Sequence, residues 1–150
     1  MKKIIFSATL AASMFSGVAF GAAETIDPSK AVTKTECSLL GDSVSLNLSA
    51  NVEGAYNCHK DDNSIRVATC HVAGSRKDTT IQCVKIGGTD TAPVYNVSSC
   101  ASATAEVEVK NSFRAFGAST TGGSVAMTPL DGDCDEAGAN LKKLEILNPA

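Results

Sequence analysis

The sequence predicts an all-β domain: a single small antiparallel sandwich or barrel of about seven or eight short strands, stapled by disulfides. Short segments recur in which apolar and polar side chains alternate, which is the two-residue period of a half-buried strand. Runs rich in Gly, Asn, Asp and Ser separate these segments, and such short connections favour antiparallel pairing. Six cysteines supply cross-links for a chain that contains no Trp and few other aromatic residues.

The first 21 residues have the features of a secretory signal peptide of bacterial type. Lys2 and Lys3 form a positive start, an uncharged apolar run follows over 4–15, and small residues lead to a cleavage site after Gly21. The run is too short for a membrane span, which needs about 20 apolar residues. We therefore expect a protein that is secreted or held at the cell surface, with the periplasm as the second expectation, and no membrane span after cleavage.

Cleavage of this segment leaves an acidic protein. Without Lys2 and Lys3, 11 basic residues stand against 16 acidic ones, and the net charge goes from −3 to −5. Nucleic acids and anionic membranes are bound by basic surfaces, so we expect neither as a partner. Protein partners or self-assembly are the expected interactions.

The strand predictions follow the alternation along the mature chain. Residues 22–35 are polar and aperiodic, so we predict a flexible N-terminal arm, or alternatively a strand exchanged with a neighbouring subunit, before a β domain over 36–150. Turns are predicted at 61–63, within a hairpin, and at 74–78. The predicted strands are 43–50, 55–60, 64–72, 79–86, 94–98, 104–110, 113–116 and 124–128.

The C-terminal segment 141–147 fits two structures. Its Leu144 and Ile146 alternate with polar neighbours, as in a strand, whereas Leu141, Leu144 and Leu147 have the spacing of a helix. We predict a final strand.

An even number of cysteines in an exported chain indicates three structural disulfides. No C-x-x-C pair is present, so zinc-ribbon and thioredoxin-type sites lack their spacing. If the 74–78 turn is centred between Arg76 and Lys77, Cys70 lies opposite Cys83 and near disulfide reach; a rival register places Cys58 opposite Cys70. The six residues are Cys37, Cys58, Cys70, Cys83, Cys100 and Cys134.

The acidic loop that begins at Asp131 is a candidate metal site. Alternate carboxylates in a Gly-containing loop can direct oxygens at Ca²⁺, and Asp131, Asp133 and Asp135 have that spacing. The loop lacks the Gly and Glu that an EF-hand has at its sixth and twelfth positions. Two interpretations follow: a looser calcium loop, or a solvated acidic turn held by Cys134. No other cofactor is expected.

Catalytic motifs of serine hydrolases, zinc hydrolases and nucleotide-binding proteins are absent from the sequence. His59 and His71 each follow a cysteine, but neighbours on a strand point to opposite faces, so a Cys–His dyad is geometrically poor. We interpret both as surface or edge histidines and predict that the protein is not an enzyme.

One predicted hairpin resembles part of a known family. It consists of the tripeptide YNC at 56–58, a turn, and the tripeptide IRV at 65–67, and it is similar there to the hairpin of periplasmic lysozyme inhibitors. The resemblance covers about a dozen residues, and the serine-glycine loop motif of that family is not apparent. It implies a periplasmic inhibitor or a small binding module.

The composition leads to a different first prediction. Small and polar residues dominate, catalytic side chains are sparse, and disulfides stabilise proteins outside the cell. We predict a non-enzymatic structural or surface protein, such as a subunit of an extracellular fibre (a fimbrium, for example) or of a cell-surface layer. The inhibitor or binding module is the alternative.

Overall fold

The computed structural model describes residues 22–135 and 138–148, and the predicted signal peptide lies outside them. Every strand pair within these ranges is antiparallel, and three disulfides are present. The prediction of a small, disulfide-stapled, antiparallel all-β domain is therefore confirmed. The elements are β1 (Glu24–Thr25), β2 (Val52–His59), β3 (Ser64–His71), β4 (Arg76–Gln82), β5 (Lys85–Gly88), β6 (Pro93–Tyr95), β7 (Glu106–Ser119), β8 (Val125–Pro129) and a 3-10 turn (Leu141–Lys143).

The 14-residue strand β7 is the centre of the main sheet. Three strands pair with it: β3 along 115–119, β8 along 114–118 and β4 along 106–113. The β2 strand pairs with β3, and β1 pairs with β2. A separate two-stranded ladder joins β5 to β6. Most of the sheet therefore depends on one strand.

This single strand replaces the two that were predicted at 104–110 and 113–116. Asn111 lies between them with φ at 51°, a left-handed conformation that Asn tolerates better than most residues. The pairing with β4 shifts register there, and the Asp78 carboxylate accepts a hydrogen bond of 2.9 Å from the Asn111 amide. Because of this β-bulge, one strand continues past the point where the alternation of apolar and polar residues breaks. That break had separated the two predicted strands.

Other predicted strands lie close to the observed ones. The predicted hairpin is present, and its register continues unbroken from the Val52–His71 pair to the His59–Ser64 pair. The strands predicted at 64–72, 94–98 and 124–128 overlap β3, β6 and β8. The strand predicted at 79–86 is divided between β4 and β5, because the Cys83 amide still donates to the Ala105 carbonyl whereas Val84 bonds to Asn96.

One face of the main sheet is lined by small side chains. Ala55, Ala68 and Ala115 are fully buried on β2, β3 and β7, which allows the C-terminal segment to pack closely against the sheet. The main core forms between this face and that segment. Its large apolar members are Phe113, Leu130, Leu141, Leu144 and Leu147.

The predicted final strand at 141–147 is wrong. The segment forms a 3-10 turn followed by further turns, and its three leucines are buried. Residues three apart share one side of a 3-10 turn, so Leu141, Leu144 and Leu147 all reach the alanine-lined face. The Asn148 amide group donates to the carbonyls of Lys142 and Leu144 and closes the segment. Burial of three leucines therefore outweighs the short alternation that favoured a strand.

The opposite face of the sheet is covered in part by the chain between 26 and 50. Ile26 and Val32 are buried there with Tyr56. Residues 22–35, predicted as a flexible arm, thus pack on the domain, with β1 paired to β2 and the Ile26 amide donating to the Gly54 carbonyl at 2.8 Å.

The strand predicted at 43–50 is wrong. Its pairing is limited to a bridge between Val44 and Val32. The apolar side chains of Leu46 and Leu48 pack over the sheet face beside Tyr56. The segment lies on the sheet and not along its edge, so it satisfies the apolar pattern of a strand without a ladder of hydrogen bonds.

Candidate functional site

The disulfides join Cys37 to Cys58, Cys70 to Cys134, and Cys83 to Cys100, with Cα–Cα distances of 5.6, 5.9 and 5.8 Å. Among the described residues there is no free cysteine. The predicted Cys70–Cys83 bond and its rival, Cys58–Cys70, are both wrong. The 74–78 segment is not a hairpin turn, because β3 and β4 each pair with β7 and not with each other. Cys70 instead faces the core, where the C-terminal segment brings Cys134.

The structure does not gather the carboxylates predicted to bind calcium. Asp131 accepts a hydrogen bond of 2.7 Å from the Ser98 amide, and Asp135 accepts one of 2.9 Å from the Ala139 amide. Asp133 is exposed. Within residues 22–135 and 138–148, no group of three or more His, Cys, Asp or Glu side chains could hold a metal ion. Each of these hydrogen bonds uses one carboxylate oxygen, of Asp131 and of Asp135, and the calcium interpretation stays a prediction.

The two histidines lie at opposite ends of the β2–β3 hairpin. His71 is paired with Val52, whereas His59 is paired with Ser64 at the turn. The His71 Nδ1 atom accepts a hydrogen bond from the Ala73 amide at 3.0 Å. The His59 Nδ1 atom lies 2.9 Å from the Asp62 carboxylate. They do not form a common site.

Asp62 is the centre of a polar cluster at this turn. The Ser64 hydroxyl donates to its Oδ1 atom at 2.6 Å, His59 approaches the same oxygen, and the Arg66 guanidinium donates to Oδ2. These contacts, the Ser64 hydrogen bond foremost, lower the pKa of Asp62 from 3.8 to about 2.

We expect this cluster to make the protein less stable in acid. Because the folded pKa of Asp62 is depressed, its contribution is complete above about pH 3.8 and is lost as the pH falls through about 2. Thermal unfolding of the Asp62→Asn variant should therefore change less over that window than unfolding of the parent. Asp61→Asn, in the same turn, is the control; an equal flattening in both variants would contradict the assignment to Asp62.

A different surface, on β8, presents an open strand edge. The Leu130 amide donates to the Phe113 carbonyl at 3.0 Å. Hydrogen-bonded pairs alternate along an antiparallel ladder, so Thr128 and Ala126 bond to β7 in the same series. The amides and carbonyls of Val125 and Met127 consequently point away from β7. None of them bonds to another residue in the part of the chain that the structure describes.

Three large apolar side chains lie on one face beside this edge. Phe116, Val125 and Met127 are 52%, 70% and 57% exposed, and Phe116 is directly paired with Met127. We call these three residues, with the outer edge of β8, the β8 surface. The chain between 26 and 50 covers the neighbouring β2 and β3 but leaves this part of the face open.

The β8 surface lies in an uncharged stretch of sequence. Residues 115–130 contain no Asp, Glu, Lys or Arg, although such residues make up 19% of the chain. Exposed edge strands are usually protected from other chains by charges or proline. By contrast, β4 carries Arg76, Lys77 and Asp78, whereas β8 has only Pro129, at its end. The alternation of β8 was predicted, but its place at an edge depends on distant pairing.

A groove of about 600 Å³ adjoins the same face. Phe116 and Met127 form part of its apolar wall, and His71 and Arg114 add polar groups. No ion pair or hydrogen bond joins the Arg114 guanidinium to another residue within the described ranges. The groove therefore combines an apolar wall with an available positive charge.

The comparisons with known proteins do not assign a family. No protein-family model matches the chain, and no curated protein or solved structure matches it. No helix in the described part of the chain is long and apolar enough to cross a membrane. Three disulfides are typical of proteins outside the reducing cytosol.

Proposed function

We propose that this chain is an exported, non-enzymatic protein that assembles with other copies of itself through the β8 surface, as a subunit of a cell-surface or extracellular structure. The open, uncharged edge of β8 is the observation that carries the proposal. An exposed strand edge recruits another strand through main-chain hydrogen bonds. The apolar side chains beside it gain free energy when a partner removes them from water.

Charge favours a second copy as the occupant. The chain is acidic, so most ways of bringing two copies together place like charges near each other. The 115–130 stretch is uncharged, and two copies can meet there with little repulsion. The resemblance of the β2–β3 hairpin to lysozyme inhibitors gives less support to the alternative, because Tyr56 and Asn57 are buried within the sheet.

A lysine on the β8 edge should disrupt this assembly. In sedimentation of the purified protein over a range of concentrations, Met127→Lys should weaken self-association by about tenfold or more, since each contact gains two unpaired charges. Thr80→Lys, at an exposed position on β4, is the matched control and should leave self-association unchanged. A parent protein that stays monomeric at every concentration, or two variants that behave alike, would contradict the proposal.

The groove supports a second candidate function, a small binding module. Its apolar wall and the available Arg114 guanidinium suit a ligand with an apolar body and a carboxylate. Calorimetric titration with a medium-chain fatty acid tests this candidate function. Arg114→Met should lose most of the affinity for the fatty acid. A parent protein that gives no heat of binding would contradict the candidate function.

A further inference from the structure

We propose that two copies of the chain pair β8 with β8 antiparallel about a twofold axis at Ala126, which makes one continuous sheet. This inference rests on the proposed function and specifies its partner surface and register. Its basis is the direction of the backbone groups on β8, the ends of the strand and the absence of nearby charge.

The hydrogen-bonding groups of β8 are self-complementary. Val125 and Met127 direct their amides and carbonyls outwards, and Ala126 between them directs its own towards β7. When Val125 of one copy faces Met127 of the other, the two residues exchange both of their hydrogen bonds. The twofold axis repeats that exchange, so four bonds form and every outward group of Val125 and Met127 gains a partner.

The ends of the strand limit the alternatives. If Met127 faced its own mate, Val125 would face Pro129, which has no amide hydrogen, and the Val125 carbonyl would remain without a donor. If Val125 faced its own mate, Met127 would face Gly123, which has φ of 62° in the turn before β8 and lies outside the strand. The register centred on Ala126 is therefore the one in which every outward amide and carbonyl of both Val125 and Met127 gains a partner.

The side chains agree with the same register. Val125 and Met127 lie on the same face as Phe116, so pairing places Val125 beside the Met127 of the other copy and joins two exposed apolar patches. Along the strand, the first charged residue after the axis is Asp131. The two copies of that residue diverge in opposite directions, so the contact brings no acidic side chains of this stretch together.

Cysteine scanning along β8 tests the register. Ala126 would face its own mate in a pair without mutual hydrogen bonds, where Cα atoms lie about 4.5 Å apart and within disulfide range. Ala126 is exposed, so Ala126→Cys should fold as the parent does, which circular dichroism checks. Under mild oxidation, Ala126→Cys should convert mostly to a covalent dimer that reduction separates, and Ser124→Cys and Thr128→Cys should remain largely uncross-linked.

The mixed sample provides the complementary result. Ser124 of one copy would face Thr128 of the other, so Ser124→Cys and Thr128→Cys proteins should cross-link together although neither does so alone. Stronger cross-linking of Met127→Cys than of Ala126→Cys would overturn the register. If Met127→Lys abolishes self-association but no β8 cysteine forms the expected pair, this inference fails and the proposed function stands. If the parent does not associate, both fail.

Discussion

Replacing Cys70 and Cys134 together with alanine should lower the free energy of unfolding by about 4 kcal/mol. This disulfide closes the longest of the three loops, with a sequence separation of 64. In the chain-entropy account, a longer loop restricts the unfolded chain more. Both sulfur atoms also lie in the main core, where the bond holds the C-terminal segment against β3. Urea unfolding followed by circular dichroism measures the change.

The matched comparison is the double alanine variant of Cys83 and Cys100. That bond has a sequence separation of 17, and the same relation gives about 3 kcal/mol for its loss. Its Cys100 packs against the smaller core that contains Val97. We therefore expect the Cys70–Cys134 variant to have the lower urea midpoint, and the reverse order would contradict the central role given to that bond.

Phe113→Ala should cost about 3–5 kcal/mol. Phe113 is 2% exposed and packs with Leu130 and the C-terminal leucines. The Arg76 guanidinium lies 4.5 Å from the centre of its ring and would lose that contact too. Removal of the ring would leave a cavity in a core whose sheet side is lined by alanines, and few neighbouring atoms could move to fill it. Thermal or urea unfolding of the parent and variant measures the loss.

Phe116→Ala is the control on the same strand. Phe116 is three residues away but 52% exposed, so its loss should cost less than about 1 kcal/mol in the monomer. The same variant should weaken self-association, since Phe116 belongs to the β8 surface. Equal destabilisation by the two alanine variants would contradict the assignment of Phe113 to the core and of Phe116 to the surface.

The alternation of apolar and polar residues predicted most strands, because it indicates which side chains face the core. The β2–β3 hairpin was predicted from a turn between two alternating runs, and both features are local. The segment 43–50 has the same alternation but lies over the sheet, because pattern records burial and not hydrogen bonding. The pattern around Leu141, Leu144 and Leu147 fitted both a strand and a helix. The three leucines are buried against the alanine-lined face of the sheet, and this packing decides the structure of the segment.

Properties that depend on distant pairing could not be predicted in this way. The Cys70–Cys83 prediction assumed that β3 and β4 form a hairpin, but β7, which follows both along the chain, pairs with each of them. The β8 surface was missed for a related reason: a strand is at an edge only in relation to the other strands. One local signal was available, the uncharged stretch 115–130 beside Val125 and Met127.

The position of β7 in the sequence determines when the sheet can form. The residues of β7 follow those of β3 and β4, so a growing chain that ends before 106 can make the β2–β3 hairpin but little else of the main sheet. The short-range bonds Cys37–Cys58 and Cys83–Cys100 close small loops at low entropic cost. Cys134 comes after all of these strands, and the Cys70–Cys134 bond therefore completes the fold only when nearly the whole chain is present.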